Sequence, residues 1–211
     1  MVSRVTYRPF DEDDFNAIAA IMQAVWHADA PTPGYAFLEA CADLAHCLSI
    51  STFSQVALID NVVRGIVLAR STNLRVPVSS RWQCAEDDFL EQMLINEPQA
   101  AKEQIRVDKL TRDINSELLQ KSGLTEANEI TLLAVSGEAR GLGIGTVLLD
   151  AASSYLAARG AGHAYLCTDA NCNWKFYENH GCKRAASRHI PRDQRRLLPK
   201  ELYVYTLDLS E

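Results

Sequence analysis

Residues 130–145 read ITLLAVSGEARGLGIG. The first six form a continuous apolar run, as in a buried strand, and residues 145–159 then carry apolar side chains at helical spacing. Between these segments, Gly141, Gly143 and Gly145 remove every second side chain, so backbone amides can approach a ligand at the positive end of the helix. Arg140 adds a cation able to pair with phosphate oxygens. The stretch therefore predicts a strand, a phosphate-binding loop and a helix.

Three other interpretations of this loop can be weighed from its spacing. A plain strand-to-helix turn explains one or two glycines, but not three at this spacing behind an arginine. A nucleoside-triphosphatase loop needs Gly-Lys-Ser/Thr, whereas Thr146 and Val147 follow Gly145. The dinucleotide fingerprint needs glycine where Thr146 stands, although Asp169, 24 residues beyond Gly145, is placed as a ribose-binding acid would be. A dinucleotide-binding protein stays open as an alternative.

Two separate motifs resemble those of the GNAT superfamily of N-acetyltransferases. The first is the loop after residue 135, where Arg140, Gly143 and Gly145 fill the R/Q-x-x-G-x-G/A core of the family's acetyl-CoA motif. The second is residues 173–181, NWKFYENHG, which is similar to the family's aromatic-Tyr-Glu-x-x-Gly run on the following helix. The resemblance is strongest over residues 130–190, and the order of elements before it agrees.

The resemblance implies an α/β fold with a mixed, largely antiparallel sheet flanked by helices, and acetyl-CoA as co-substrate. It implies that the strand before the loop splays from its neighbour, so that backbone groups of Leu133 and Val135 meet pantetheine. Tyr177 matches the tyrosine that protonates the departing thiolate. Asn173 is assigned to the pantetheine or thiol end. The residues assigned to the pyrophosphate are Arg140, Gly141, Leu142, Gly143, Ile144, Gly145 and Thr146.

The sequence departs from the family pattern at two positions. Gly137 stands where the family often has proline, and Ala170 stands seven residues before the tyrosine, where the family has asparagine. An amine must also lose its proton before it attacks, because an ammonium with a pKa near 10 is not a nucleophile. Glu129, beside the central strand, is our first candidate for the base, and Asp169 is the second. The five histidines show no metal-ligand spacing, so no metal is predicted.

The remaining pattern predicts one mixed α/β domain over residues 1–211. Residues 55–60 and 62–70 form a hairpin about Asp60-Asn61, whose residue types favour a tight turn. Other predicted elements are a strand at 4–8, a helix behind Asp11, a second helix after the break at Pro31, Pro33 and Gly34, a strand at 163–167, a helix at 171–180, and strands at 182–190 and 201–209.

The charge is concentrated in one segment. The 211 residues carry a net charge of −6, and residues 84–129 alone hold eleven acidic and five basic residues. We interpret residues 72–129 as a helical acidic insertion, broken near Pro98 and closed near Gly123. Six cysteines without a C-x-x-C pair are expected to be reduced thiols. The sequence also shows no apolar leader and no window long enough to span a membrane. Together with the reduced thiols, these features predict a cytoplasmic protein.

The predicted function is acetyl transfer from acetyl-CoA to a primary amine by direct attack. The acceptor is a small amine or a peptide amine, and neither nucleic acid nor membrane is expected as a partner. A basic segment at 183–200 forms a solvated loop, contacts the CoA 3′-phosphate or substrate, or meets the acidic insertion of a second copy in a homodimer. A non-catalytic CoA-binding module remains the alternative from another functional class.

Overall fold

The computed structural model describes residues 4–74, 81–124 and 128–210. Two short 3₁₀ turns, Glu12–Asp14 and Gly137–Ala139, precede helices α1 and α5. The strands are β1 Val5–Arg8, β2 Phe53–Ile59, β3 Val62–Arg70, β4 Asn128–Val135, β5 His163–Asp169, β6 Lys183–His189 and β7 Glu201–Asp208. The helices are α1 Phe15–Trp26, α2 Pro33–Ile50, α3 Arg81–Asn96, α4 Pro98–Ser122, α5 Ile144–Ala158 and α6 Trp174–Asn179.

The strands form a single sheet in the order β1-β2-β3-β4-β5-β7-β6. Every neighbouring pair is antiparallel except β4 and β5, which run parallel. The predicted mixed, largely antiparallel sheet flanked by helices is therefore confirmed. A dinucleotide-binding domain needs an open parallel sheet with helical crossovers, and this strand order does not provide one.

The parallel pair separates soon after it forms. β4 and β5 are paired only at Asn128 with Ala164 and at Glu129 with Tyr165. Immediately beyond, the register of β3 against β4 passes from Leu68–Leu132 to Ala69–Ile130, which leaves Thr131 as an extra residue in β4. A bulge bends a strand and increases its local twist. From Thr131 onward β4 and β5 therefore border a gap in the middle of the sheet.

Helix α2 contacts this bulge. The hydroxyl oxygens of Ser51, which follows α2, and Thr131 lie 2.6 Å apart, and the Cys47 thiol donates to the Thr131 carbonyl at 3.7 Å. Burial raises the pKa of the Cys47 thiol, with the nearby carboxylates of Asp43, Glu129 and Glu86 adding to the effect. Cys47 is therefore a neutral thiol that packs beneath the bulge.

The two faces of the sheet are covered by different helices. Helix α5 lies on one face, where Ile144, Leu148 and Leu156 are buried against both halves of the sheet. On the opposite face, α1 and α2 cover β2, β3 and β4, whereas α4 covers β5, β6 and β7 through Ile114 and Leu118. Helix α3 packs on α2 around Met93. The gap between β4 and β5 thus faces the boundary between α2 and α4.

Several predicted boundaries are confirmed. Asp60 and Asn61 both adopt positive φ, 50° and 66°, as a two-residue hairpin turn requires. As predicted, α4 begins at Pro98 and ends before Gly123, which adopts the left-handed conformation.

All six cysteines are free. Among the described residues, no helix is long and apolar enough to cross a membrane.

Other boundaries differ from the prediction. Helix α2 begins at Pro33 and contains Gly34, because Thr32 caps it and proline is favoured at a first helical position. Strand β4 begins two residues earlier than predicted and includes Glu129. Helix α6 begins at Trp174 rather than at 171, because the Asp169 side chain accepts from the amides of Asn171 and Cys172 and forms a turn there. Residues 75–80 and 125–127 of the predicted insertion lie outside the described residues.

A buried histidine joins α1 to α2. His27, which is 8% exposed, has Nδ1 3.2 Å from Oε2 of Glu39 and Nε2 3.0 Å from Oδ2 of Asp43. Burial alone would lower the pKa of His27, but hydrogen bonds and charge from Asp43 and Glu39 raise it to about 9. Asp108 of α4 belongs to the same group of acids, and burial together with Asp43 raises its pKa to about 6.

This arrangement predicts a pH-dependent stability. Protonated His27 stabilises the fold by on the order of 3 kcal/mol below pH 6.5, and this contribution is lost as pH rises through about 9. Asp108, with a pKa of about 6, is mostly ionised above pH 7, so its titration contributes little to the loss near pH 9. Urea unfolding between pH 6.5 and 10 should show a falling free energy of unfolding for the native chain and a flatter profile for His27→Gln. His163→Gln, at an exposed histidine, is the control, and parallel profiles for the native chain and His27→Gln would contradict the assignment.

Candidate active site

The glycine loop between β4 and α5 presents its backbone to solvent. After the 3₁₀ turn at Gly137–Ala139, Gly141 and Gly143 adopt φ of 78° and 76°, values that side chains rarely allow. Gly143 is the N-cap residue of α5, so no side chain caps the helix. Glu138, the one acid of the loop, forms an ion pair with Arg64 of β3.

Six consecutive amides of this loop have no acceptor. Within the part of the chain that the structure describes, the N–H groups of residues 141–146 make no hydrogen bond, and the next amide, that of Val147, donates to the Gly143 carbonyl. The Arg140 side chain is exposed and has no ionic partner among the described residues. A row of free amides at a helix N-terminus beside a free guanidinium is suited to bind a polyanion such as pyrophosphate.

The gap between the strands leads away from this loop. Leu133 and Val135, assigned to pantetheine by the resemblance, lie in the part of β4 that pairs with β3 but no longer with β5. Both side chains pack toward α5. Along the edge that faces β5, their strand has backbone groups without a strand partner. An extended ligand carrying amides could supply hydrogen bonds there.

Tyr177 lies on α6, next to the first turn of α5. Its neighbour Phe176 packs so closely on Gly145 that an added Cβ there would lie 3.3 Å from the ring. Tyr177 itself is partly buried against the α5 core, and its ring centroid is 6.1 Å from that of Tyr205. No described residue hydrogen-bonds its hydroxyl. Burial, followed by the neighbouring thiols of Cys172 and Cys182, raises the pKa of Tyr177. The phenol therefore stays protonated and has a proton to donate.

Glu129 lies at the closed end of the gap and is held by an arginine. Nη2 of Arg70, its cross-strand neighbour on β3, donates to Oε2 of Glu129 at 2.7 Å and to the Tyr165 hydroxyl at 3.1 Å. Burial and the charge of Glu129 raise the pKa of Tyr165, so this phenol remains neutral. A groove of about 630 Å³ opens beside Arg70, lined in part by His46 of α2 and by Glu86 and Asp87 of α3.

The second candidate base, Asp169, is occupied by local bonds. Its Oδ1 accepts from the amides of Asn171 at 2.7 Å and Cys172 at 3.2 Å, and its Oδ2 accepts from the Cys172 thiol at 3.6 Å. Asn173 is the N-cap residue of α6, where its side chain makes no capping bond and is exposed. The structure thus brings the loop and the helix that carries Tyr177 together through Phe176 and His180, and it places Glu129 at the closed end of the gap, where β4 and β5 still pair.

Two residues at the site were not singled out from the sequence. His180 connects the two motifs, since its Nδ1 donates to the Phe176 carbonyl at 2.7 Å and its Nε2 lies 2.8 Å from the Thr146 hydroxyl. The position of His180 inside the second motif is a sequence signal that could have identified it. Arg70 ends the predicted hairpin strand, and only the register with β4 shows that it faces Glu129.

Residues 120–182 match the model of the acetyltransferase (GNAT) family. That segment contains β4, the glycine loop, α5, β5 and α6, which are the elements of the site. The resemblance drawn from the two motifs is therefore confirmed. The matched residues are those of a GNAT acetyltransferase domain, and the protein is an acyltransferase; the GNAT family transfers acetyl groups and generally uses acetyl-CoA.

Solved structures with the same fold match almost the whole length of the chain. An N-acetyltransferase from Staphylococcus aureus Mu50 is 18% identical, with 98% of this chain and 99% of that chain covered at a TM-score of 0.57. The ribosomal-protein-S18-alanine N-acetyltransferase from Escherichia coli is 13% identical, with 99% and 96% covered at a TM-score of 0.56. A NatC complex bound to Gag peptide and CoA is 15% identical, with 97% of this chain and 98% of that chain covered at a TM-score of 0.51. No curated protein matches the sequence.

The geometry of the loop predicts a charge-dependent affinity for CoA. Replacing Arg140 by glutamine removes the free cation beside the amides, and the dissociation constant for CoA should rise about tenfold, the equivalent of one charge-assisted hydrogen bond. Isothermal titration measures this constant. Arg159→Gln, at the opposite end of α5, is the matched control and should leave affinity unchanged. Equal affinities for Arg140→Gln and the native chain would remove Arg140 from the cofactor site.

Proposed function

We propose that this protein transfers the acetyl group of acetyl-CoA to a primary amine by direct attack. The observation that carries the proposal is the row of free amides at residues 141–146, joined through Gly145 and Phe176 to a helix whose tyrosine hydroxyl is unpartnered. The amine nitrogen forms a bond to the acetyl carbon, and the carbon–sulfur bond breaks. Tyr177 gives its proton to the sulfur, and the amine loses a proton to Glu129.

The cofactor would be held along the gap. Arg140 and the amides of residues 141–146 bind the pyrophosphate, and the backbone of Leu133 and Val135 bonds to pantetheine. Asn173, with an exposed side chain at the start of α6, reaches the thiol end. This places the thioester between the separated parts of β4 and β5, where Tyr177 borders it. A fixed cofactor lowers the entropic cost of bringing the amine and the thioester together.

Glu129 would act through a water molecule. Its Oε2 is engaged by Arg70, so a water bridging the carboxylate and the amine is the simplest route for the proton. Asp169 is less suited to this task, because both of its oxygens accept bonds from the turn after β5. Among the two candidate bases, the contacts therefore favour Glu129.

The acceptor would enter from the α2 and α3 side. The groove beside Arg70 adjoins Glu129, and α3 supplies Glu86 and Asp87 to its lining. We propose that residues 1–211 form one domain in which the insertion at 72–129 shapes this entrance. The acceptor is a small amine or a peptide amine, as in the E. coli structure named for an alanine of a ribosomal protein.

A CoA-binding module without catalysis is the second candidate. The ion pair between Glu129 and Arg70 favours it, because Arg70 already engages one oxygen of the carboxylate that would have to accept the proton. Release of free CoA thiol from acetyl-CoA, followed with a panel of amines, distinguishes the two functions. Binding without thiol release across the panel would support the module.

The acid assignment predicts a selective loss of turnover. Tyr177→Phe removes only the hydroxyl, so kcat should fall about 100-fold or more with little change in the dissociation constant for acetyl-CoA. Tyr155→Phe is the control, because that hydroxyl bonds to Thr52 far from the loop and should matter for stability alone. Unchanged turnover in Tyr177→Phe would exclude the tyrosine as the acid.

The base assignment is tested by removing the two members of one ion pair in turn. Glu129→Gln and Arg70→Gln both abolish the pair, but only the first removes the carboxylate. We expect kcat/KM to fall at least tenfold in Glu129→Gln, while Arg70→Gln keeps most of it. Equal losses in the two variants, measured by thiol release at several pH values, would show that the pair is structural and that another group is the base.

A further inference from the structure

Helix α6 is too short to be stable alone. It has six residues, and none of its side chains is fully buried. Isolated helices below about 12 residues are marginal in water, so packing must hold α6 in place. Because Tyr177 is on this helix, the contacts that fix α6 also fix the position of the phenol.

One side of α6 is fastened to the cofactor loop. Phe176 packs on Gly145, and His180 bonds to the Thr146 hydroxyl. These residues are four apart and thus share a face of the helix. This attachment sets the distance between α6 and the first turn of α5. It leaves the opposite side of the helix to be fixed by other contacts.

The other side of α6 is fastened to the sheet by Arg184 of β6. The guanidinium carbon lies 5.1 Å from the ring centroid of Trp174, and Nη2 donates to Oε1 of Glu178 at 2.9 Å. Trp174 and Glu178 are also four residues apart, and they lie on either side of Tyr177 in the sequence. One arginine therefore contacts the helix at two points, through a cation–π contact and a charge-assisted hydrogen bond.

Arg184 is itself rigidly placed. Its Nε and Nη2 donate to the Tyr205 hydroxyl at 3.0 and 2.8 Å, and that hydroxyl donates to Oε1 of Glu178 at 2.8 Å. Tyr205 is fully buried, and its ring also faces Tyr177. Arg184 further lies 4.2 Å over the ring of Tyr203. Arg184, Tyr205 and Glu178 thus form a closed triangle beneath α6.

A bulge directs Arg184 to this face of the sheet. Opposite β7, Arg184 pairs with Tyr205 and Ala186 with Val204, which leaves Ala185 as an extra residue. Without it, Arg184 and Arg188 would point to the same side, because side chains alternate along a strand. Arg188 instead meets Glu117 of α4 on the opposite face, at 2.5 Å. Bulges commonly re-aim a side chain in this way.

We propose that Arg184 is a positioning residue that holds the Tyr177 hydroxyl at the thioester. The proposal rests on the acid role of Tyr177 given above. Arg184 needs its planar guanidinium for this, because Nε and Nη2 together hold the Tyr205 hydroxyl while Nη2 also reaches Glu178 and the guanidinium carbon stays over the ring of Trp174. It acts through α6, and no hydrogen bond, ion pair or cation–π contact joins it to Tyr177 among the described residues.

The test is a double-mutant cycle between Arg184→Gln and Tyr177→Phe. With Tyr177 present, Arg184→Gln should lower kcat about tenfold while the dissociation constant for acetyl-CoA changes less than twofold. In the Tyr177→Phe background it should cause no further loss, because there is no hydroxyl left to position. Arg184→Lys should recover only part of the activity. Arg188→Gln, on the same strand but the opposite face, should leave kcat unchanged.

The cycle has outcomes that overturn the proposal. Equal fold losses in both backgrounds would show that Arg184 acts independently of Tyr177, and a change in acetyl-CoA affinity alone would make it a cofactor contact. If Tyr177→Phe itself leaves turnover unchanged, the acid role fails and the positioning role fails with it. Tyr205→Phe removes the anchor of Arg184 without creating a cavity. It should repeat the pattern of Arg184→Gln if that variant does not fold, and additive losses from it would also refute the proposal.

Discussion

The separation of β4 from β5 is the constraint on which the site depends. The two strands share two residue pairs, and the bulge at Thr131 then turns β4 away, with α2 bonded to that bulge through Ser51 and Cys47. Backbone groups along the gap lose their strand partners, and such groups are costly to leave unpaired once they are covered. A ligand with its own amides satisfies them, and the same divergence makes room for the loop and α6 at the open end.

The charges of the chain are arranged around this gap. Helix α4 covers β5, β6 and β7, and its Glu117 forms an ion pair with Arg188 of the basic segment within the same chain. Glu86 and Asp87 of α3 instead line the groove beside Arg70. Arg140 and the free amides lie on another part of the surface, at the start of α5. The net charge of −6 is therefore compatible with a polyanionic cofactor, because the one acid of the cofactor loop, Glu138, is paired with Arg64 and the acids of α3 lie on another element.

Much of the fold follows from local sequence signals. Asp60 and Asn61 specify the hairpin turn, and Pro98 and Gly123 mark the start and the end of α4. These positions depend on the backbone preferences of single residues. The cofactor loop was predictable because three glycines and an arginine act within a few residues of each other.

Other features depend on contacts between distant segments. The pairing of Arg70 with Glu129 needs the register of two strands 59 residues apart, and the bulge that turns Arg184 toward α6 is set by β7. The late start of α6 comes from bonds of Asp169 that compete with the helix. No period or motif in the sequence signals these contacts, so the candidate base and the anchor of the tyrosine become interpretable only in three dimensions.

Hydrogen–deuterium exchange with and without acetyl-CoA shows directly whether the cofactor occupies the glycine loop and the gap beside β4. The amides of residues 141–146 have no acceptor and should exchange fast in the free protein. At saturating acetyl-CoA, we expect slower exchange in that loop and in residues 131–135 of β4, with little change in β1 and β2. Binding without protection of these two segments, or protection confined to other parts of the sheet, would show that the cofactor does not lie in the gap.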